Sequence, residues 1–158
     1  LAKIKPFISK LSEPLPVDTK INILLNIIKA LKSAIELLTK SRIRKWAEVM
    51  SEFEGFGIQG SVAQRNKNPL NLRWSRYQFG VRDGFAFFAD VATGWKAAEF
   101  QLQIAADGRS KYYWPTMTLA SFFTVYAPRY DNNQPDKYAQ YVAGRLGVSV
   151  DVQIKTLL

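Results

Sequence analysis

The sequence predicts a mainly helical α+β fold, and three observations carry that prediction. Apolar residues recur at three- and four-residue spacing over the first third of the chain; a stretch rich in Gly, Asn and aromatics then breaks the rhythm; and helical patterns resume three times before the end. The chain has 158 residues, 47% hydrophobic and 13% aromatic, enough for one sizeable core plus an appendage. The expected organisation is a basic arm with an amphipathic helix over residues 1–40, followed by a catalytic-sized domain over 41–158.

Leu1 to Val17 carries three prolines and reads as an extended or briefly helical lead-in, stopped at Glu13-Pro14-Leu15-Pro16. A helix is expected from near Asp18. Ile21, Leu24, Leu25, Ile28, Leu31, Ile35 and Leu38 form its apolar face, with Asn22, Asn26, Lys29, Lys32 and Glu36 between them. No apolar run approaches the roughly 20 residues that cross a bilayer, so no transmembrane span is expected. Such a helix can pack on the following domain, lie on a membrane or zip against another subunit. The first residue is Leu rather than Met, which points to a fragment or a processed product.

Arg42 to Phe53 reads as a second helix, ended by the glycines of Gly55-Phe56-Gly57, which places Glu54 at its C-terminal end. Asn71–Trp74 and Phe85–Phe88 are the expected short strands, with turns around Gly80 and Asp83-Gly84. Three helices should follow: Gly94–Ala106 capped by Thr93, Leu119–Tyr126 capped by Thr118, and Pro135–Leu146, started near Asn133 and closed by Gly147.

Composition limits the chemistry. Without histidine or cysteine, Ser-His-Asp and Cys-His nucleophile systems, the common zinc sites and disulfides are excluded, so proton transfer falls to Asp, Glu, Lys or Tyr. No metal or cofactor is expected. The net charge of +9 sits mainly in residues 1–45, which hold ten Lys or Arg against three acids. That charge suits any anionic polymer, including nucleic acid, anionic lipid and the acidic bacterial wall, or simply keeps the chain soluble.

Glu54-Gly55-Phe56, Asn68-Pro69-Leu70-Asn71-Leu72-Arg73, Gly84-Phe85-Ala86-Phe87, Gly94-Trp95 and Tyr126-Ala127-Pro128 occur in an order that resembles the lysozyme-like superfamily. The likeness is to its peptidoglycan-degrading branch of phage structural proteins and lytic transglycosylases, and it covers residues 41–150. Lys67 stands where that family usually has Asn, and Leu70 where it has Gly. A Pro-Gly pair permits a type II turn, whereas Leu70 disfavours the positive φ and points to a type I or distorted turn.

The resemblance implies a lysozyme-like domain that cuts peptidoglycan glycan strands, with Glu54 as the catalytic acid. It also implies that Asn68, Asn71, Arg73, Tyr126 and Tyr130 contact substrate. Read as residues alone, each keeps a structural alternative. Asn68 and Asn71 are ordinary turn material, Arg73 can meet a structural carboxylate, and Tyr126 beside Phe122 and Phe123 can be core. A glycosidase acting by hydrolysis needs a second carboxylate, for which Asp83 and Asp90 are candidates, although Asp83-Gly84 is equally good turn chemistry. The transglycosylase route that the resemblance implies uses one Glu as acid and then as base. Phe53 and Phe56 are expected to raise its pKa, and Glu52 should lie on another side of the helix.

The partners expected are peptidoglycan strands and, through the 18–40 helix, virion or other structural proteins, with action at a virion or bacterial envelope. The alternatives are a non-catalytic wall-binding or assembly module on the same fold and a nucleic-acid binder. For the last no recognised motif is present, so nucleic acid is not an expected partner.

Overall fold

The computed structural model describes residues 4–12 and 14–158; Leu1 to Lys3 and Glu13, with their share of the expected lead-in and its stop, lie outside the described residues. Two compact units follow one another along the chain, the first reaching Thr39 and the second running from Lys40 to Leu158. In the first, α1 (Lys5–Leu11) begins with Pro6 in its first turn, where proline's missing N–H costs nothing. Ile4 and Ile23 are buried.

Helix α2 (Val17–Phe53) corrects the sequence reading, which ended one helix near Leu38 and began another at Arg42. Thr39, Lys40 and Ser41 include neither Gly nor Pro, and Ser or Thr inside a helix costs only about half a kcal/mol each. A break there would orphan eight backbone groups, so the helix runs through.

The second unit is mainly helical with one small antiparallel sheet. Its core gathers Trp46 and Met50 of α2, Leu102 of α4 (Val91–Ala106), Leu119, Phe122 and Phe123 of α5 (Leu119–Tyr126), Val142 of α6 (Pro135–Leu146) and Ile154, all essentially inaccessible. Trp46 meets Phe122 edge-on with ring centroids 5.3 Å apart. Full burial of each such side chain contributes roughly 1.5–3 kcal/mol. At the C-terminal end, Ile154 N–H donates to the Met117 carbonyl at 2.9 Å. The Arg42 guanidinium donates to the carbonyls of Thr156, at 2.6 Å, and of Leu158.

Between α3 (Val62–Arg65) and α4 lies the hairpin of β1 (Gly80–Arg82) and β2 (Phe85–Phe87), paired Gly80 to Phe87 and Arg82 to Phe85. Asp83 (φ +54°) and Gly84 (φ +78°) are both left-handed, as a two-residue type I′ connection requires. Asn71–Trp74 is not a strand. Asn71 is itself left-handed, with φ +46°, which breaks extended geometry, and the partner of β2 is Gly80–Arg82 instead.

The expected helices α5 and α6 have the predicted bounds, and Thr118 caps α5 by accepting from Ser121 N–H at 3.1 Å. Gly147, with φ +70°, closes α6. Asn133 is not a cap for α6; its amide donates to the Pro128 carbonyl at 3.3 Å. Helix α4 starts three residues earlier than expected because Asp90, not Thr93, is its cap and accepts from Thr93 N–H at 2.7 Å. Among the described residues, no helix is long and apolar enough to cross a membrane.

Gly94 decides how closely α4 approaches the loop before the hairpin. A Cβ there would stand 1.9 Å from the Lys67 carbonyl oxygen and 3.1 Å from Pro69. Because that oxygen belongs to backbone, the loop would have to move. Gly94→Ala is therefore expected to destabilise the second unit by about 2–3 kcal/mol despite alanine's better helix propensity, as read by urea denaturation.

Candidate active site

Glu54 is positioned by the way α2 ends. Gly55, with φ +72°, follows it, Phe56 N–H donates to Ser51 carbonyl at 3.0 Å, and Gly55 N–H donates to Glu52 carbonyl at 3.2 Å. This paired arrangement is a Schellman motif with Glu54 as its C-cap, so the glycine expected as a helix stop also fixes the backbone under the carboxyl.

The side chain enters a cleft of about 750 Å³ in the second unit. Glu54 is half-buried there, open to the cleft while protein fills most of its surroundings. Tyr138 Oη donates to Oε1 at 2.8 Å and Asn71 Nδ2 donates to Oε2 at 3.0 Å. Desolvation by burial raises the Glu54 pKa, and these two hydrogen bonds to the carboxylate oppose the rise without cancelling it. The partial negative charge at the C-terminal end of α2 acts in the same direction as burial.

Tyr138 is the participant that sequence reasoning missed. It belongs to the buried stripe of α6, and its ring lies between Phe53, 4.0 Å away by centroid, and Phe123, 4.2 Å away. Burial pushes its pKa well above the usual tyrosine value, so it remains a neutral donor. Its hydroxyl also lies 3.3 Å from the Met50 carbonyl. Oη thus has a pure acceptor on one side and Glu54 on the other: it can donate to ionised Glu54, or turn its hydrogen to Met50 and accept from protonated Glu54. The signal available in the sequence was a tyrosine on an apolar helical stripe, whose hydroxyl must find a partner.

The expected binding residues separate. Asn71, Arg73, Tyr126 and Tyr130 line the cleft; Asn68 does not. Asn68 is fully buried, its Nδ2 donating to the carbonyls of Leu72 and Ala86 at 2.9 Å each and its Oδ1 accepting from Leu72 N–H at 3.0 Å. Substrate contact is thereby corrected to a structural role: its amide is spent holding the loop.

Asn71 N–H donates to Asn68 carbonyl at 3.1 Å, closing the turn over Pro69 and Leu70. Leu70 avoids positive φ and Asn71 adopts it, since a short polar side chain tolerates the left-handed region better than leucine. Tyr126 Oη donates to the Leu70 carbonyl, not to Glu54, tying α5 to the same loop. Arg73 pairs with Asp131 at 2.9 Å and lies over the Phe85 ring. Tyr130, Trp74 and Tyr112 present largely exposed aromatic faces to the cleft.

Asp83 and Asp90 lie outside the cleft lining. Asp83 pairs with Arg65 at 3.2 Å, and Asp90 is spent as the α4 cap. The second carboxylate lining the cleft is Asp131, which sequence reasoning did not single out and which is bound to Arg73. Glu52, as expected, faces elsewhere: it is exposed, and its hydrogen bonds to Arg145 and Tyr141 lower its pKa. Among the described residues, no group of three metal-ligating side chains comes together.

The raised pKa has a stability consequence. In the fold Glu54 holds its proton to higher pH than in the unfolded chain, whose value is near 4.5; the associated stability is complete below that value and lost as pH rises through the folded pKa. Glu54→Gln carries no such loss. Urea denaturation of both proteins should therefore show the variant gaining on the parent as pH rises from about 4.5 through the folded Glu54 pKa, and holding that gain above it. The chain matches no family model, no curated protein and no solved structure.

Proposed function

We propose that this protein cleaves the glycan strands of peptidoglycan, with Glu54 as general acid and then general base, on a lysozyme-like unit acting from a virion or at the bacterial envelope. The observation that carries the reading is a cleft-facing carboxyl with a raised pKa, held by two neutral donors, while the other carboxylate lining the cleft is paired with arginine. Protonated Glu54 donates to the glycosidic oxygen as that bond breaks and positive charge develops at the sugar carbon. The resulting carboxylate, stabilised by Asn71 and Tyr138, takes the proton of the muramic acid 6-hydroxyl, whose oxygen then bonds to the anomeric carbon. The anhydro-sugar is formed, Glu54 is again protonated, and no second carboxylate is consumed. Tyr138, with acceptors on both sides, suits a carboxyl that must pass through both protonation states.

Purified peptidoglycan incubated with the parent is expected to release muropeptides with anhydro-muramyl ends, identified by mass. Glu54→Gln should lose at least about a hundredfold in rate, the usual scale of general acid catalysis. Reducing ends from the parent would make the protein a hydrolase and direct attention to Asp131. Absence of release from either protein, with binding to the wall retained, would sink the enzymatic reading in favour of a wall-binding or assembly module.

Activity should fall as pH rises through the elevated Glu54 pKa, because the acid form begins the reaction. Tyr138→Phe removes a bond that favours the carboxylate, so its rate should drop while the alkaline limb of its kcat profile moves to higher pH.

A further inference from the structure

Within the first unit, six apolar residues of α2 form a regular seven-residue repeat, with Ile23, Leu25, Ile27 and Leu37 lying off it. Ile21, Leu24, Ile28, Leu31, Ile35 and Leu38 follow alternating steps of three and four, and each is 41% to 64% exposed. Counted as a heptad, every first position is Ile and every fourth position is Leu. That assignment is informative, because β-branched side chains at the first position with Leu at the fourth pack best in a parallel two-stranded coiled coil. Asn22, Asn26, Lys29, Ser33, Glu36 and Lys40 fall on outer positions, which they share with Ile23, Ala30 and Leu37.

In a parallel, in-register pair the flanking positions place Lys20 against Leu25, Ile27 against Lys32 and Ala34 against Thr39, so no like charges face one another. The seam ends at Arg42, the next first-position residue, whose guanidinium is engaged with the C-terminal carbonyls. An isolated membrane-surface helix has no need of the strict alternation of Ile and Leu; a knobs-into-holes seam does.

We infer that the segment 17–40 is a dimerisation element that pairs with the same segment of a second copy as a parallel coiled coil. Three heptads span roughly 32 Å, and two such faces bury on the order of 1,000 Å², the lower end for a specific interface. The dimer is therefore concentration-dependent and not obligate. It is independent of the chemistry of the cleft, which lies in the other unit.

Sedimentation velocity of the intact chain should show monomer passing to dimer over roughly micromolar concentrations. Leu24→Gln combined with Leu31→Gln keeps good helix formers in the helix and should weaken the dimer at least about a hundredfold. Leu37→Gln, at an exposed apolar position off the seam, should leave dimerisation unchanged. Because the chain has no cysteine, Leu24→Cys provides a second readout: mild oxidation should yield a covalent dimer, since a parallel pair sets residue 24 against its own copy.

Far-UV circular dichroism of the double variant checks that the helix persists, and the crosslink stands independently of that variant. A parent that sediments as monomer throughout overturns the inference, as does a dimer indifferent to the Leu24 and Leu31 changes or a Leu24→Cys chain that does not crosslink. A monomer that binds phosphatidylserine vesicles would reassign the stripe to an anionic lipid surface and equally overturn it.

Discussion

Three hydrogen bonds from one buried amide hold the candidate site together. Asn68 satisfies the Leu72 N–H and the carbonyls of Leu72 and Ala86, doing for an irregular loop what a strand ladder would do for a regular one. The loop so pinned turns over Pro69 and Leu70 and delivers Asn71 to Glu54. Gly94 permits α4 to lie against it, and Tyr126 fastens it from α5. Each of these contacts is local, yet together they set the position of a single amide nitrogen against a carboxylate oxygen. Asn68, expected with Asn71 to contact substrate, is thus the one that supports the others.

The electrostatics of Glu54 follow from where chain architecture leaves it. A helix ending in a Schellman motif presents its C-cap side chain beside unpaired carbonyls, and the aromatic packing of Phe53, Tyr138 and Phe123 removes water from the same place. Both effects penalise the ionised form. Asn71 and Tyr138 are neutral, so they orient the carboxyl without supplying the positive charge that would hold it ionised. An arginine in the position of either would reverse that balance. Arg73, the cation of the cleft lining, is engaged by Asp131.

Local signals were legible in the sequence where one residue settles a question about the backbone. Thr118 and Gly147 bound their helices as expected, Asp83-Gly84 makes the hairpin turn, and Gly55 ends α2 just past Glu54. Expectations failed where the deciding contact was nonlocal or where two similar residues competed. The break near Ser41 was inferred from a change in pattern although nothing there stops a helix. Asp90 took the cap from Thr93, three residues on, because its carboxylate accepts the Thr93 N–H. Asn71–Trp74 has a strand-like composition, but the Asn68 side chain binds the Leu72 backbone and Asn71 is left-handed. Tyr138 lies 84 residues from Glu54, and no spacing rule connects them.

The grip of Arg42 on the carbonyls of Thr156 and Leu158 spans more than a hundred residues of chain in a protein without a single disulfide. Hydrogen bonds to a charged donor contribute roughly 1.5–3 kcal/mol, modest beside the core. A contact between sequence-distant segments closes a long loop, and the backbone bonds from Leu119 and Ile154 join it to the centre of the unit. The final turn therefore does not fray as a free end would. Its amide protons are expected to exchange more slowly than those of an untethered segment.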